Sequence, residues 1–200
     1  GMRVLLCGRD AARLNETARQ IEARSGHECP VVVLDLSRRE AAAELLQRVA
    51  ALDLRVLVAA AGFGSSGGLL DQPLAPQLEQ LEVNAASVLQ LVHGCGRRFR
   101  AQGDGALVLF SSIVAFQGVP GSTTYAATKA FVQSLAEGLA GELAGTGVSV
   151  LSVAPGPVAT GFGARAGLGM DGAADPQALV APTLRALGHR GTCRPDARSK

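Results

Sequence analysis

The sequence predicts a doubly wound α/β domain, a parallel sheet covered by helices on both faces. Three observations carry this: short apolar runs at regular intervals, helix-period stretches between them, and glycine-rich or polar turns where each run ends. The runs lie at residues 4–7, 31–36, 55–60, 106–110 and 148–153, each rich in valine and leucine and almost continuous. Strands buried on both faces read this way, whereas a half-exposed strand alternates. Helical stretches follow at 10–23, 38–51, 75–100 and 123–144. Asp10 is placed to cap the first of them, with Leu14, Ala18 and Ile21 on one face, and Phe131, Leu135 and Leu139 form a stripe on the last. Alternation of strand and helix with right-handed crossovers gives the doubly wound arrangement.

Two hundred residues fit a single domain spanning 1–200, with 48% apolar and 18% charged residues excluding a disordered chain. A net charge of +2 leaves no footprint for nucleic acid. The tight basic cluster, Arg97, Arg98 and Arg100, reads as a solvated helix end. Apolar runs are too short to span a bilayer, and no signal peptide opens the chain, so a cytosolic protein is expected. Cys7, Cys29, Cys95 and Cys193 form no CxxC or Cys/His pair with metal-ligand spacing, so reduced thiols and no metal are expected.

Ligands of such sheets bind beyond the carboxyl ends of the strands. The segments there are Gly8-Arg9-Asp10, Asp35-Leu36, residues 60–64, Ser111-Ser112 and Pro155-Gly156-Pro157, which nominate one face. Of 19 basic side chains only two are lysine, Lys129 and the terminal Lys200. A chain that otherwise uses arginine has an ammonium four residues after Tyr125, its sole tyrosine. On a helix that spacing places both side chains on one face. A phenol titrates near pH 10, and a neighbouring positive charge favours its ionised form, so the pair is a candidate acid/base centre with Lys129 lowering the phenol pKa. Ser112, at the end of the fourth run, is placed to aim its hydroxyl at the same point, and Asn84 sits mid-helix, where asparagine is unfavourable without a packing or functional reason.

With these residues in place, the chain resembles the short-chain dehydrogenase/reductase family over nearly its whole length. Tyr125-Ala-Ala-Thr-Lys129 matches the family's YxxxK motif, Ser112 and Asn84 match its serine and asparagine, and residues 155–160 match its PG motif. The resemblance implies a Rossmann-like fold and an NADP-dependent oxidoreductase that interconverts a carbonyl and an alcohol. It implies Tyr125 as general acid/base, Ser112 as hydrogen-bond donor to the carbonyl oxygen, Lys129 as holder of the nicotinamide ribose and Asn84 as anchor of a relay water. Gly8 stands where an acidic residue would select NAD, and Arg9 follows, which favours NADP over NAD. The resemblance further implies that Asp35 and Leu36 contact the adenine, Ala61 and Gly62 the adjoining ribose, and Pro155, Gly156 and Thr160 the carboxamide. It implies homodimers or homotetramers built on the helices from 75 and 123, acting on a small-molecule substrate.

Departures bear on these expectations. The family's asparagine-rich motif is here Ala59-Ala60-Ala61-Gly62. The chain opens at what resembles the family's second strand, so the first strand, glycine-rich loop and first helix are expected to be lacking, and NADP binding by these 200 residues is expected to be weak. Without the central strand, either these 200 residues are a piece of a longer protein or the two half-sheets close against each other, and a short last strand is expected at 191–194. An alternative function is a cofactor-free scaffold that associates through its long helices. Phe162, Leu168 and Met170, after Thr160, read either as a lid over a hydrophobic carbonyl compound or as an ordinary connection.

Overall fold

The structure is a computed structural model that describes residues 2–167, 172–189 and 191–196. Leu168 and Met170 lie outside the described residues. Six strands, β1 (Leu6–Gly8), β2 (Val31–Val33), β3 (Val56–Ala59), β4 (Gly105–Phe110), β5 (Val148–Val153) and β6 (Thr192–Cys193), alternate with helices α1 (Ala11–Ser25), α2 (Ala41–Arg48), α3 (Leu74–Leu81), α4 (Ser87–Gln102), α5 (Thr123–Glu142), α6 (Gly161–Ala166) and α7 (Pro176–Ala186). Every strand pair is parallel. The predicted α/β architecture and the short last strand are therefore present.

The sheet is divided. β1 pairs only with β2, while β3, β4, β5 and β6 form a separate sheet in that order. The half-sheets do not close on each other. They are held by a shared roof: Leu5 and Cys7 from the β1 side, and Leu54 and Leu57 from the β3 side, pack on one cluster that contains Val32, Leu45, Val49 and Leu91. The facing edges of β1 and β3 make no ladder, and Val58 on β3 is half exposed. Beyond this gap the sheet is dry on both faces. Leu107 and Leu109 of β4, Leu151 and Val153 of β5, and Phe99 of α4 are fully buried, which explains the continuous apolar runs of the fourth and fifth segments.

Local chemistry sets the boundaries. Asp10 caps α1 by accepting from the Arg13 amide at 3.0 Å, and Gly26 ends it at φ 70 with its amide donating to the Glu22 carbonyl. The stretch expected as one helix over 75–100 is instead α3, a π-helical turn at Glu82–Ala86, and α4. The extra residue in this turn re-aims the side chains around Asn84, a device common at functional sites. Arg98 is not simply solvated: its guanidinium donates to the carbonyls of Val49, Ala50 and Leu52, tying α4 to the end of α2. No described helix is long and apolar enough to cross a membrane.

Candidate active site

The site is assembled at the carboxyl end of β4, where Ser112 leaves the strand in extended backbone and opens a turn of 3-10 helix at Ile113–Phe116. Its hydroxyl accepts from the Val114 amide at 3.4 Å and hydrogen-bonds the Tyr125 phenol. Tyr125 lies in the first turn of α5, and Lys129 follows one turn later, its Nζ 5.8 Å from the Tyr125 ring centroid. Lys129 is 6% exposed, and its ammonium donates to the Phe110 carbonyl at 2.8 Å, the one acceptor it has among the described residues. Serine, phenol and ammonium, thirteen and four residues apart in sequence, thus converge on one point.

Electrostatics at this point differ from the expectation of an acidified phenol. Burial pushes the Tyr125 phenol up to about 12, against a smaller lowering by the Ser112 hydrogen bond. Burial likewise pushes the Lys129 ammonium down to about 8. Removing charge from water costs more here than the two groups return to each other. Burial therefore favours the protonated phenol.

Asn84 is 1% exposed, and its side chain is fully engaged in bracing. Its Oδ1 accepts from the Phe63 amide at 3.0 Å, and its Nδ2 donates to the Phe63 carbonyl at 2.8 Å and to Thr128 Oγ1 at 3.1 Å. Gln80 supplies the Phe63 carbonyl with a second donor at 3.1 Å. These bonds fix the loop that follows β3 against α5, the job left open where this chain carries alanines at 59–61. Gly62 sits inside the brace: a Cβ there would lie 3.1 Å from Asn84 Oδ1 and 3.5 Å from Lys129 Nζ. Glycine lets the backbone lie over both groups. Ala61 is exposed beside it.

The PG turn joins this arrangement through backbone. Ile113 donates to the Pro155 carbonyl at 3.0 Å, and the Gly156 amide donates to Asp196 Oδ2 at 2.8 Å. Thr160 caps α6, its Oγ1 accepting from the Phe162 amide at 3.2 Å. Behind the site, Gln133 stands one further turn along α5 and accepts from Ser111 at 2.9 Å and Ser152 at 2.5 Å while donating to Thr192 at 2.8 Å. This buried network couples β4, β5 and β6 to the helix that carries Tyr125. The i+4 spacing of Tyr125, Lys129 and Gln133 was a sequence signal for Gln133; Asp196 offered none.

At the other end, a cavity of about 630 Å³ is lined by Arg9, Asp10, Val33, Leu34, Asp35, Arg38, Glu44 and Arg48. Arg9 pairs with Glu79 of α3 at 3.6 Å, both partly exposed. Asp35 accepts from the Ser37 amide at 3.0 Å. The side chain of Leu36 is buried in the hydrophobic cluster under α2, with Ala41 and Leu45, and does not line the cavity. Arg38 and Arg48, which sequence reasoning passed over, do line it. All four cysteines are free, and no described group of three or more His, Cys, Asp or Glu is placed to hold a metal.

Comparison with known proteins identifies the family and the fold. The sequence profile of the family described as short chain dehydrogenase matches residues 1–169. An uncharacterized oxidoreductase of Staphylococcus aureus (strain MW2) is 32% identical over 191 residues, which cover 94% of this chain and 80% of that one. A 7beta-hydroxysteroid dehydrogenase of Collinsella aerofaciens is 33% identical over 150 residues, covering 75% of this chain and 57% of its own length. Among solved structures, a short-chain dehydrogenase from Sphingobium yanoikuyae in complex with NADPH superposes with a TM-score of 0.88 at 30% identity, covering 93% of this chain and 74% of the other. A matching profile over most of the chain, a parallel α/β sheet and a shared fold lead to one assignment: the chain belongs to the short chain dehydrogenase family of oxidoreductases.

Proposed function

We propose that this oxidoreductase interconverts a carbonyl and an alcohol with NADP as hydride carrier and Tyr125 as the proton donor and acceptor. The observation that carries this reading is the meeting of the Tyr125 phenol, the Ser112 hydroxyl and the buried Lys129 ammonium at the end of β4.

The residues present fit a nicotinamide nucleotide at two places. Lys129 has N–H donors left over after its bond to Phe110, in a nearly water-free position, which suits the hydroxyls of a ribose. Arg9, Arg38 and Arg48 bring three guanidinium groups to one cavity, which suits the dianionic 2′-phosphate that distinguishes NADP from NAD. Glu44 and Asp35 share that cavity and keep it from being uniformly positive. The PG turn is bonded to Ile113, next to Ser112, through the Pro155 carbonyl, and with Thr160 it would hold the carboxamide. The phosphate-binding turn between β1 and β3 has no counterpart among the described residues.

A dihydronicotinamide held by Lys129 and the PG turn would supply the hydride for the carbonyl carbon. Ser112 donates a hydrogen bond to the carbonyl oxygen and holds it near the phenol. As charge develops on that oxygen, Tyr125 transfers its proton; a phenol held near 12 is fully protonated beforehand and still far more acidic than an alcohol. The phenolate left behind is stabilised by the Lys129 ammonium, which is mostly charged at neutral pH. Alcohol oxidation runs the same transfers in reverse. Asn84 acts as a positioning residue by fixing Phe63, and with it Gly62, against α5. Exposed Leu74, Leu78, Leu81 and Phe131 on α3 and α5 support assembly as a homodimer or homotetramer through these helices.

A reduction screen over ketones and aldehydes with NADPH and NADH tests the reading. NADPH-dependent turnover that falls at least about a hundredfold in Ser112→Ala is expected. Equal turnover with and without the serine hydroxyl would contradict it.

A further inference from the structure

The space above Tyr125 is bounded by Phe162 of α6. The two ring centroids are 5.2 Å apart at an interplanar angle of 49°. On its far side the Phe162 ring points end-on at the backbone of Gly64, where a Cβ would lie 2.8 Å from Cζ and 3.5 Å from both Cε atoms. Gly64 has no positive φ, so its backbone does not require glycine. What requires glycine is the ring. The placement of α6 is fixed at both ends: Thr160 caps its start, and Ser66 donates to the Gly167 carbonyl at 3.5 Å at its close. Phe162 itself is half buried. The apolar wall is thus built from two segments about a hundred residues apart, the loop after β3 and the helix after the PG turn.

We propose that Phe162 sets the substrate class: its ring, seated between the Tyr125 ring and the bare backbone of Gly64, is the surface on which the larger substituent of the carbonyl compound rests. The site therefore favours ketones bearing a ring-sized apolar group over polyhydroxylated ketones, whose hydroxyls would lose water against the ring without gaining a partner. The inference rests on the carbonyl-reducing role of Tyr125 and adds to it the chemistry of the substrate.

The test has two readouts. Tyr125 is the sole tyrosine and the chain has no tryptophan, so the phenolate absorbance of the ligand-free protein reports this one residue. Lys129 on its own helix and Ser112 from the β4 end face the phenol, while Gly64 and Phe162 add no charge from the other side. In Phe162→Ala, and in Gly64→Ala, whose new methyl displaces the ring, the phenol is expected to titrate at lower pH by about one unit as water reaches it. With saturating NADPH, the ratio of kcat/KM for 2-decalone to that for dihydroxyacetone is expected to favour the bicyclic ketone in the wild type. It should fall at least about tenfold in Phe162→Ala, chiefly through a raised KM for 2-decalone. Unchanged titration in both variants overturns the placement of the ring. A lowered titration with an unchanged ratio overturns the assignment of substrate class. A wild type that binds NADPH by isothermal titration under the assay conditions and reduces neither ketone counts against Tyr125 as a carbonyl proton donor, and the titration of the phenol still judges the ring.

Discussion

Asn84→Ala should destabilise the protein by an amount that follows from the bonds it breaks. The substitution removes the acceptor for the Phe63 amide and two donors, one to Phe63 and one to Thr128. The Phe63 carbonyl keeps Gln80, and the Thr128 hydroxyl keeps its bond to the Tyr125 carbonyl at 2.8 Å. Loss of the buried Asn84 acceptor for the Phe63 amide costs about 1–3 kcal/mol. The small void left by the lost amide adds roughly 1 kcal/mol. The total is about 2–4 kcal/mol, or a fall in Tm of roughly 5–12 °C for a chain of this size. Urea unfolding followed by circular dichroism, with a thermal melt beside it, measures this. Asn84→Asp should be no better, since a carboxylate retains the acceptor but faces the Phe63 carbonyl with no proton to give. A loss below about 1 kcal/mol in Asn84→Ala would refute the reading of this residue as the brace of the β3 loop.

Three further outcomes follow from the same geometry. Lys129 titrates near 8 when folded and at its ordinary value near 10.5 when unfolded, so the unfolded chain binds more protons between these values and Lys129 adds stability as pH rises through them. Buried Cys95, held near 11, opposes this from pH 9 upward. The difference between wild type and Lys129→Met isolates the lysine and should grow by about 3 kcal/mol from pH 8 to 10.5, as read by urea midpoints; a flat difference contradicts the burial of the ammonium. Gln133→Leu leaves Ser111, Ser152 and Thr192 without their shared partner and should cost about 2–4 kcal/mol in chemical unfolding, against near zero for a surface glutamine such as Gln20. Isothermal titration with NADPH should show several-fold tighter binding in Glu79→Gln than in the wild type, because the substitution releases Arg9 from its ion pair; equal dissociation constants contradict a role for Arg9 in holding the nucleotide.

The fold was legible because buried parallel strands announce themselves: β4 and β5 are dry on both faces and read as unbroken apolar runs. The separation of β1 from β3 differs from the expected closure of the half-sheets: the apolar roof that holds Leu5, Cys7, Leu54 and Leu57 keeps the two edges apart. Boundaries were less legible. The π-helical turn at Asn84 has no sequence signature distinct from a long helix, so one helix was expected where α3 and α4 are joined through a widened turn. At the site, the spacing of Ser112, Tyr125 and Lys129 told which residues meet, but not that desolvation would outweigh their mutual attraction and leave the phenol protonated. That balance depends on burial, which is a property of the folded chain. Leu36 lies in the turn beyond β2, and the burial of its side chain against the cluster under α2 depends on how α2 packs, which no local pattern encodes. Gly64 and Asp196 make contacts across about 100 and 40 residues respectively, and no local pattern encodes them.

The rate of NADPH-dependent ketone reduction in Tyr125→Phe, set beside its melting temperature, bears most directly on proton transfer from this phenol. Phenylalanine keeps the ring against Phe162 and removes only the hydroxyl. A rate lower by about a hundredfold or more at an unchanged melting temperature is predicted. A variant that reduces ketone as fast as the wild type would show that the proton comes from elsewhere.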